Sequence, residues 1–226
     1  MSKWLYFLLD WSEVWALFLP LTVLFLTRKQ PKTLTPVIVY LWVALVLNGL
    51  TDLIMVNYNN LPSPFNSNTY LYNIHSVLRF AFFSIFFIRL PQFHFKKLKL
   101  VLPLILLIFL LVNFSLFEPF FNTASLSGNL LAVEAFLLLV YCLQYYLSEL
   151  RTDSETIMNG PDFWVVTGLS IYVVVIFFIF LFYYPMMKVN ARLADNMWNV
   201  HNVAFIIFCI FLAKAFYGTA GNKHSN

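Results

Sequence analysis

The sequence predicts an all-α integral membrane protein of seven transmembrane helices. Hydrophobic residues make up 61% of the 226-residue chain and charged residues only 11%, against roughly 25% charged in a soluble domain. The 26 phenylalanines are more than one aqueous core hides. The apolar residues also fall into seven runs, each near the roughly 20 residues that cross a hydrocarbon core as a helix.

The expected spans cover about 10–27, 35–56, 70–89, 98–117, 129–150, 163–184 and 197–217, in one transmembrane domain over 1–226. Turn-forming punctuation separates them: Gln30-Pro31-Lys32, the polar 57–69 loop, Leu90-Pro91, Glu118-Pro119, Gly160-Pro161 and Tyr184-Pro185. The first run lacks a small-x-small cleavage site and is expected to stay as a span. Runs this continuous do not alternate as barrel strands do.

Lysine and arginine set the expected orientation. Arg28, Lys29, Lys32, Arg89, Lys96, Lys97, Lys99, Arg151 and Lys223 fall on one side, and only Lys3, Lys188 and Arg192 on the other. The positive-inside rule then places the N-terminus outside and the C-terminus inside. The net charge of +4 thus reports orientation and implies no nucleic-acid partner. Cys142 and Cys209 lie inside apolar runs, which leaves no disulfide framework or Cys-rich metal site.

One short motif is written twice. Tyr72-Asn73-Ile74-His75-Ser76-Val77 opens span three, and Trp198-Asn199-Val200-His201-Asn202-Val203 opens span seven. His75 and His201 are 126 residues apart, Pro36 and Pro161 125 apart, and Glu13 and Glu134 121 apart. These offsets predict a parallel pseudo-repeat of three helices, a linker helix and three helices, a plan known among transporters.

In that plan the chain resembles the SWEET and PQ-loop seven-helix proteins, although spans one and five carry no Pro-Gln pair. The resemblance implies that Asn73 and Asn199 face a small solute. The chain is also similar to small bacterial seven-helix proteins, which implies a bacterial inner membrane. A microbial rhodopsin would need a retinal lysine near the middle of span seven. Lys214 lies near the inner end instead, where it snorkels.

Ionisable residues within spans mark functional sites by default. Glu13 lies 15 residues before Arg28, His75 14 before Arg89, Glu134 17 before Arg151 and His201 13 before Lys214. At about 1.5 Å per residue all four sit about 20–25 Å from the inner face, in the outer half of the core. Asn48, Asp52, Arg79 and Asn202 belong to the same half. The expectation is an outward-facing polar pocket above an apolar floor.

Several chemistries fit those residues. The primary expectation is recognition of a small polar solute, by a transporter or the membrane part of a sensor, with no cofactor. Asn73, His75, Arg79, Asn199, His201 and Asn202 would form the binding set. Glu13, Asp52 and Glu134 would balance Arg79 and couple protons. The alternative is a metal-dependent intramembrane hydrolase holding zinc or another divalent ion on His75, His201, Glu13 and Glu134; a bis-His haem on the same residues is a minor branch. The third is a structural membrane subunit whose histidines are interhelical glue.

The chain carries no P-loop or nucleophile elbow, so enzymatic chemistry is the less favoured expectation. Its expected partners are the lipid bilayer, the solute and, for signalling, a separate protein or a second copy. Asn113-Phe114-Ser115 matches a glycosylation pattern but falls inside span four. His94 and His224 are expected to be solvated.

Overall fold

The computed structural model of the chain describes residues 3–27, 29–62, 66–91, 96–121, 126–151 and 160–221. Arg28, His94, Lys223 and His224 lie outside these, as do the side chains of Lys3 and Lys188. The described residues are helical, with short connections and no strand. Six helices are long and apolar enough to cross a membrane, which marks the chain as an integral membrane protein.

The first expected span is where the structure departs most from the sequence. In place of one helix over 10–27 it forms α1 (Lys3–Asp10), α2 (Ser12–Trp15) and α3 (Phe18–Thr27). Pro20 supplies one cause: its ring has no N–H and crowds the carbonyl four residues back, that of Ala16. That carbonyl accepts instead from Leu19 N at 3.1 Å, and Leu17 N turns to Val14 O at 3.3 Å. A second break falls at Trp11.

Breaks free backbone carbonyls, and in an apolar setting each must find a donor. Three side chains provide them. Asn48 Nδ2 donates to Glu13 O at 2.8 Å, Asn202 Nδ2 to Leu9 O at 3.0 Å, and Trp15 Nε1 to Leu8 O at 2.8 Å.

The other elements follow the expected spans more closely. They are α4 (Thr35–Val56), α5 (Thr69–Arg89), α6 (Lys96–Val112) with a π-helical turn over Asn113–Phe117, α7 (Gly128–Leu150), α8 (Pro161–Val189) and α9 (Ala191–Gly221). Pro36 and Pro161 each lie in a first helical turn, where a missing N–H costs nothing. Ser127 caps α7 by accepting from Leu130 N at 3.2 Å. Tyr184-Pro185 does not end its helix, because α8 continues to Val189 and the chain turns at Asn190. Asn190 Oδ1 then accepts from Leu193 N at 3.2 Å to start α9.

Packing arranges these helices as a ring. The first segment contacts α9, α9 contacts α8, α8 contacts α7, α7 contacts α5, α5 contacts α4, and α4 returns to α2. Helix α6 stands outside, touching α5 and α7, and exposes Leu100, Leu104, Leu107, Ile108 and Leu111 as a lipid-facing side would. It is nevertheless anchored. Buried Lys99 donates to Phe87 O at 2.7 Å and Leu90 O at 3.3 Å, capping the C-terminus of α5. In the sequence Lys99 looks like one more loop charge; its reach to the last carbonyls of α5 is a tertiary fact.

Helices α8 and α9 meet closely at Gly168, where a methyl group would collide with the Phe211 side chain. Aromatic rings fill the middle of the ring: Tyr40 on Phe83 at 5.1 Å, Phe83 on Phe208 at 5.9 Å, and Tyr172 stacked on Phe208 at 5.3 Å.

Candidate functional site

Above that aromatic layer the ring encloses a polar chamber. Its wall includes Glu13, Asn48, Tyr72, His75, Ser76, Arg79, Tyr172, Trp198 and His201. The chamber leaves about 20 Å³ for small occupants, room for about one water and too little for a sugar.

Two polar clusters build it. In the first, Arg79 on α5 grips Glu134 on α7 through both fork positions, Nε to Oε1 at 2.7 Å and Nη2 to Oε2 at 2.5 Å. Ser76 Oγ adds a bond to Glu134 Oε2 at 2.8 Å. The remaining arm, Arg79 Nη1, donates to Tyr172 Oη on α8 at 2.9 Å. Arg79 is 5% exposed and Glu134 fully buried, so each charge depends on the other.

In the second cluster, His201 Nε2 on α9 meets Glu13 Oε1 on α2 at 3.1 Å. Tyr72 Oη donates to Glu13 Oε2 at 3.5 Å. The His201 ring lies between aromatic faces, 5.1 Å from Trp198, 5.7 Å from Tyr172 and 5.8 Å from Phe180. Tyr172 therefore touches both clusters, bonding Arg79 and packing on His201.

His75 enters the chamber differently. Its ring stacks on Tyr40 at 5.8 Å, and its Nε2 is buried without a hydrogen-bond partner, as is His201 Nδ1. Such atoms are costly to bury unsatisfied.

The structure places the expected residues unevenly. His75, Arg79, His201 and Glu13 line the chamber, and Glu134 bonds into its wall. Asn73 points elsewhere, donating to Phe120 O at 2.9 Å and accepting from Ser127 N at 3.4 Å. It pins the connection between α6 and α7. Asn199 is half-buried and outside the chamber lining. Asn202 repairs the broken first segment. Among the described residues Glu134 alone forms an ion pair with Arg79, while Asp52 lines a neighbouring cavity.

The four residues weighed as metal ligands go separate ways: His201 pairs with Glu13, Glu134 pairs with Arg79, and His75 stacks on Tyr40. Among the described residues no three His, Cys, Asp or Glu side chains gather where a metal ion could be held.

Several site residues carried no mark in the sequence. Tyr172 sits in an apolar run, and Ser76 lies in the motif beside a histidine that draws more notice. Asn113, inside the disregarded glycosylation pattern, is buried and donates to Glu118 Oε2 at 3.1 Å. Ser127 Oγ bonds to the same carboxylate oxygen. Pro119 following Glu118 marks a turn in the sequence, but not which groups the turn brings together. No family model, no curated protein and no solved structure matches this chain.

Proposed function

We propose that the chain is a seven-span inner-membrane protein, N-terminus outside, that recognises a small polar solute between two related halves, in the wider cavity beside the chamber with its polar group reaching the chamber. It acts as a transporter or as the membrane part of a sensor. The observation that carries this reading is the chamber itself: charged and titratable groups at the centre of a helical ring, closed at both ends by aromatic side chains. Tyr172, Phe208 and Phe83 close it toward the Lys99 end. Tyr72 and Trp198, edge to face at 5.7 Å, close it toward the Asp52 end. An intramembrane cluster of this kind is expensive unless function retains it.

Support for the repeat comes from connectivity. Exchanging the first segment with α7, α4 with α8 and α5 with α9 maps the order of helices around the ring onto itself. The polar contacts cross the same way. Glu13 of one half meets His201 of the other, and Glu134 of the second meets Ser76 and Arg79 of the first. A chamber bounded by two repeats is where alternating access places its substrate. The first segment, in three short pieces, serves as the seventh span.

The test begins with the purified protein in detergent, melted in the presence of sugars, amino acids, carboxylates and alkylammonium ions. A solute that raises the melting temperature of the native chain and not that of the His75→Ala, His201→Ala double variant supports the reading. Uptake of that solute into proteoliposomes identifies a transporter, and binding without uptake a sensor. If no solute class shifts the melting curve, the chain returns to the role of a structural membrane subunit.

A further inference from the structure

The ring opens, at the end carrying Asp52, into a second cavity of about 430 Å³. Its wall includes Asp10, Trp11, Asp52, Tyr72, Tyr183 and Trp198, with no Lys or Arg among its described lining residues. Tyr72 and Trp198 belong to both walls. Their pair is the partition between this vestibule and the chamber.

Charge along the route has one sign. Asp10 and Asp52 flank the vestibule, and Asp52 Oδ2 is shielded from solvent with no hydrogen-bond partner. Glu13 follows beyond the partition. The one guanidinium in the chamber wall, Arg79, already has its fork filled by Glu134. An anionic solute would meet carboxylates first and find no unengaged Lys or Arg among the described residues behind them. A neutral solute would leave those carboxylates uncompensated in an aromatic setting.

An independent observation concerns His201, which is 5% exposed. Its Nε2 faces the Glu13 carboxylate at 3.1 Å, and its Nδ1 is buried with no partner. In the tautomer that carries its hydrogen on Nε2, toward Glu13, Nδ1 presents a lone pair, which a ligand N–H satisfies. Aromatic faces beside carboxylates, with an unanswered acceptor beyond them, are the elements of an ammonium site.

Resting on the solute-binding reading above, we infer that the solute is a small organic cation of the primary alkylammonium class, whose –NH3+ group is about the size of the one water the chamber admits. Its head group is held first by Asp52 and the Trp11, Tyr72, Tyr183 and Trp198 rings. On passing the Tyr72–Trp198 partition an N–H of the head group is offered to His201 Nδ1 and its charge to Glu13.

The experiment uses the full chain in detergent with paired probes that differ by an N–H-bearing cation: ethylamine against ethanol, and ethanolamine against ethylene glycol. Binding is read by melting temperature and by calorimetry. The expected result is that both ammonium compounds bind and both isosteres do not. Asp52→Asn, which keeps the side-chain shape, is expected to weaken ethanolamine binding about tenfold or more. If Asp52→Asn melts early without ligand, Asp10→Asn makes the same comparison at the vestibule rim. Equal binding of ammonium compounds and isosteres overturns the inference, as does full affinity in the aspartate variants. Binding of glucose or glycerol without any ammonium binding also overturns it while sparing the solute reading. Failure of every solute class removes both.

Discussion

Glu13 and His201 stand 188 residues apart in the chain, and their side chains meet at 3.1 Å. The contact joins the broken first segment to α9, in the wall of a chamber that both elements help to close. It also explains why the bent segment is held at a fixed rotation. Glu13 offers its carboxylate to α9 while its own backbone carbonyl takes a hydrogen bond from Asn48 on α4.

That pair is expected to couple energetically. Glu13→Ala and His201→Ala should each lower stability, and the double variant should lose less than the sum, with a coupling of about 1–3 kcal/mol. Melting or denaturant midpoints of the four proteins in one detergent measure the coupling. Strictly additive losses would mean that the contact carries no energy of its own.

Breaking the Arg79–Glu134 pair should cost more, because neither group reaches solvent. Arg79→Gln is expected to destabilise by about 3–5 kcal/mol, the range for a buried charge left without its partner. Arg79→Lys should restore little of this, since an ammonium cannot match the two-pronged geometry or hold Tyr172 at the same time. Replacing both residues with methionine should recover most of the stability. A double-methionine variant as unstable as Arg79→Gln would contradict the account.

Gly168 tests the closeness of α8 and α9. Gly168→Val should lower stability by about 1–3 kcal/mol through overpacking against Phe211. Adding Phe211→Ala should return part of that loss by making room. If the second change deepens the defect, the fault lies elsewhere than the steric contact.

The sequence made the membrane environment and the shared level of Glu13 and His201 legible, because hydropathy and helix rise are local properties. Counting residues from the basic boundary put Glu13 and His201 on one level, and they touch. Partner choice was not legible in the same way. Asp52 and Glu134 both lay within reach of Arg79 by depth. Which one pairs depends on how α4 and α7 are rotated, and rotation is fixed by packing across the ring. The duplicated motif was informative and also misleading. His201 finds a carboxylate and His75 does not; in the first copy that task falls to Ser76 and Arg79. Asn73 turns to the α6–α7 connection, because the Phe120 carbonyl and Ser127 amide there need partners. Pro20 was visible as an isolated proline. Its consequence for Ala16 follows from helix geometry alone, whereas the donors that repair the break come from α4 and α9, far away in sequence.

The fractured first segment also imposes an order on biogenesis. Its Leu9 carbonyl is answered by Asn202 of α9, which is made after the other helices of the ring. Until α9 is inserted, the first segment waits in the bilayer with a carbonyl whose side-chain donor has not yet been synthesised. The ring is thus latched by a helix that follows all its other members in the chain. A nascent chain stopped before α9 keeps most of its spans and has no means of fastening the first one in place.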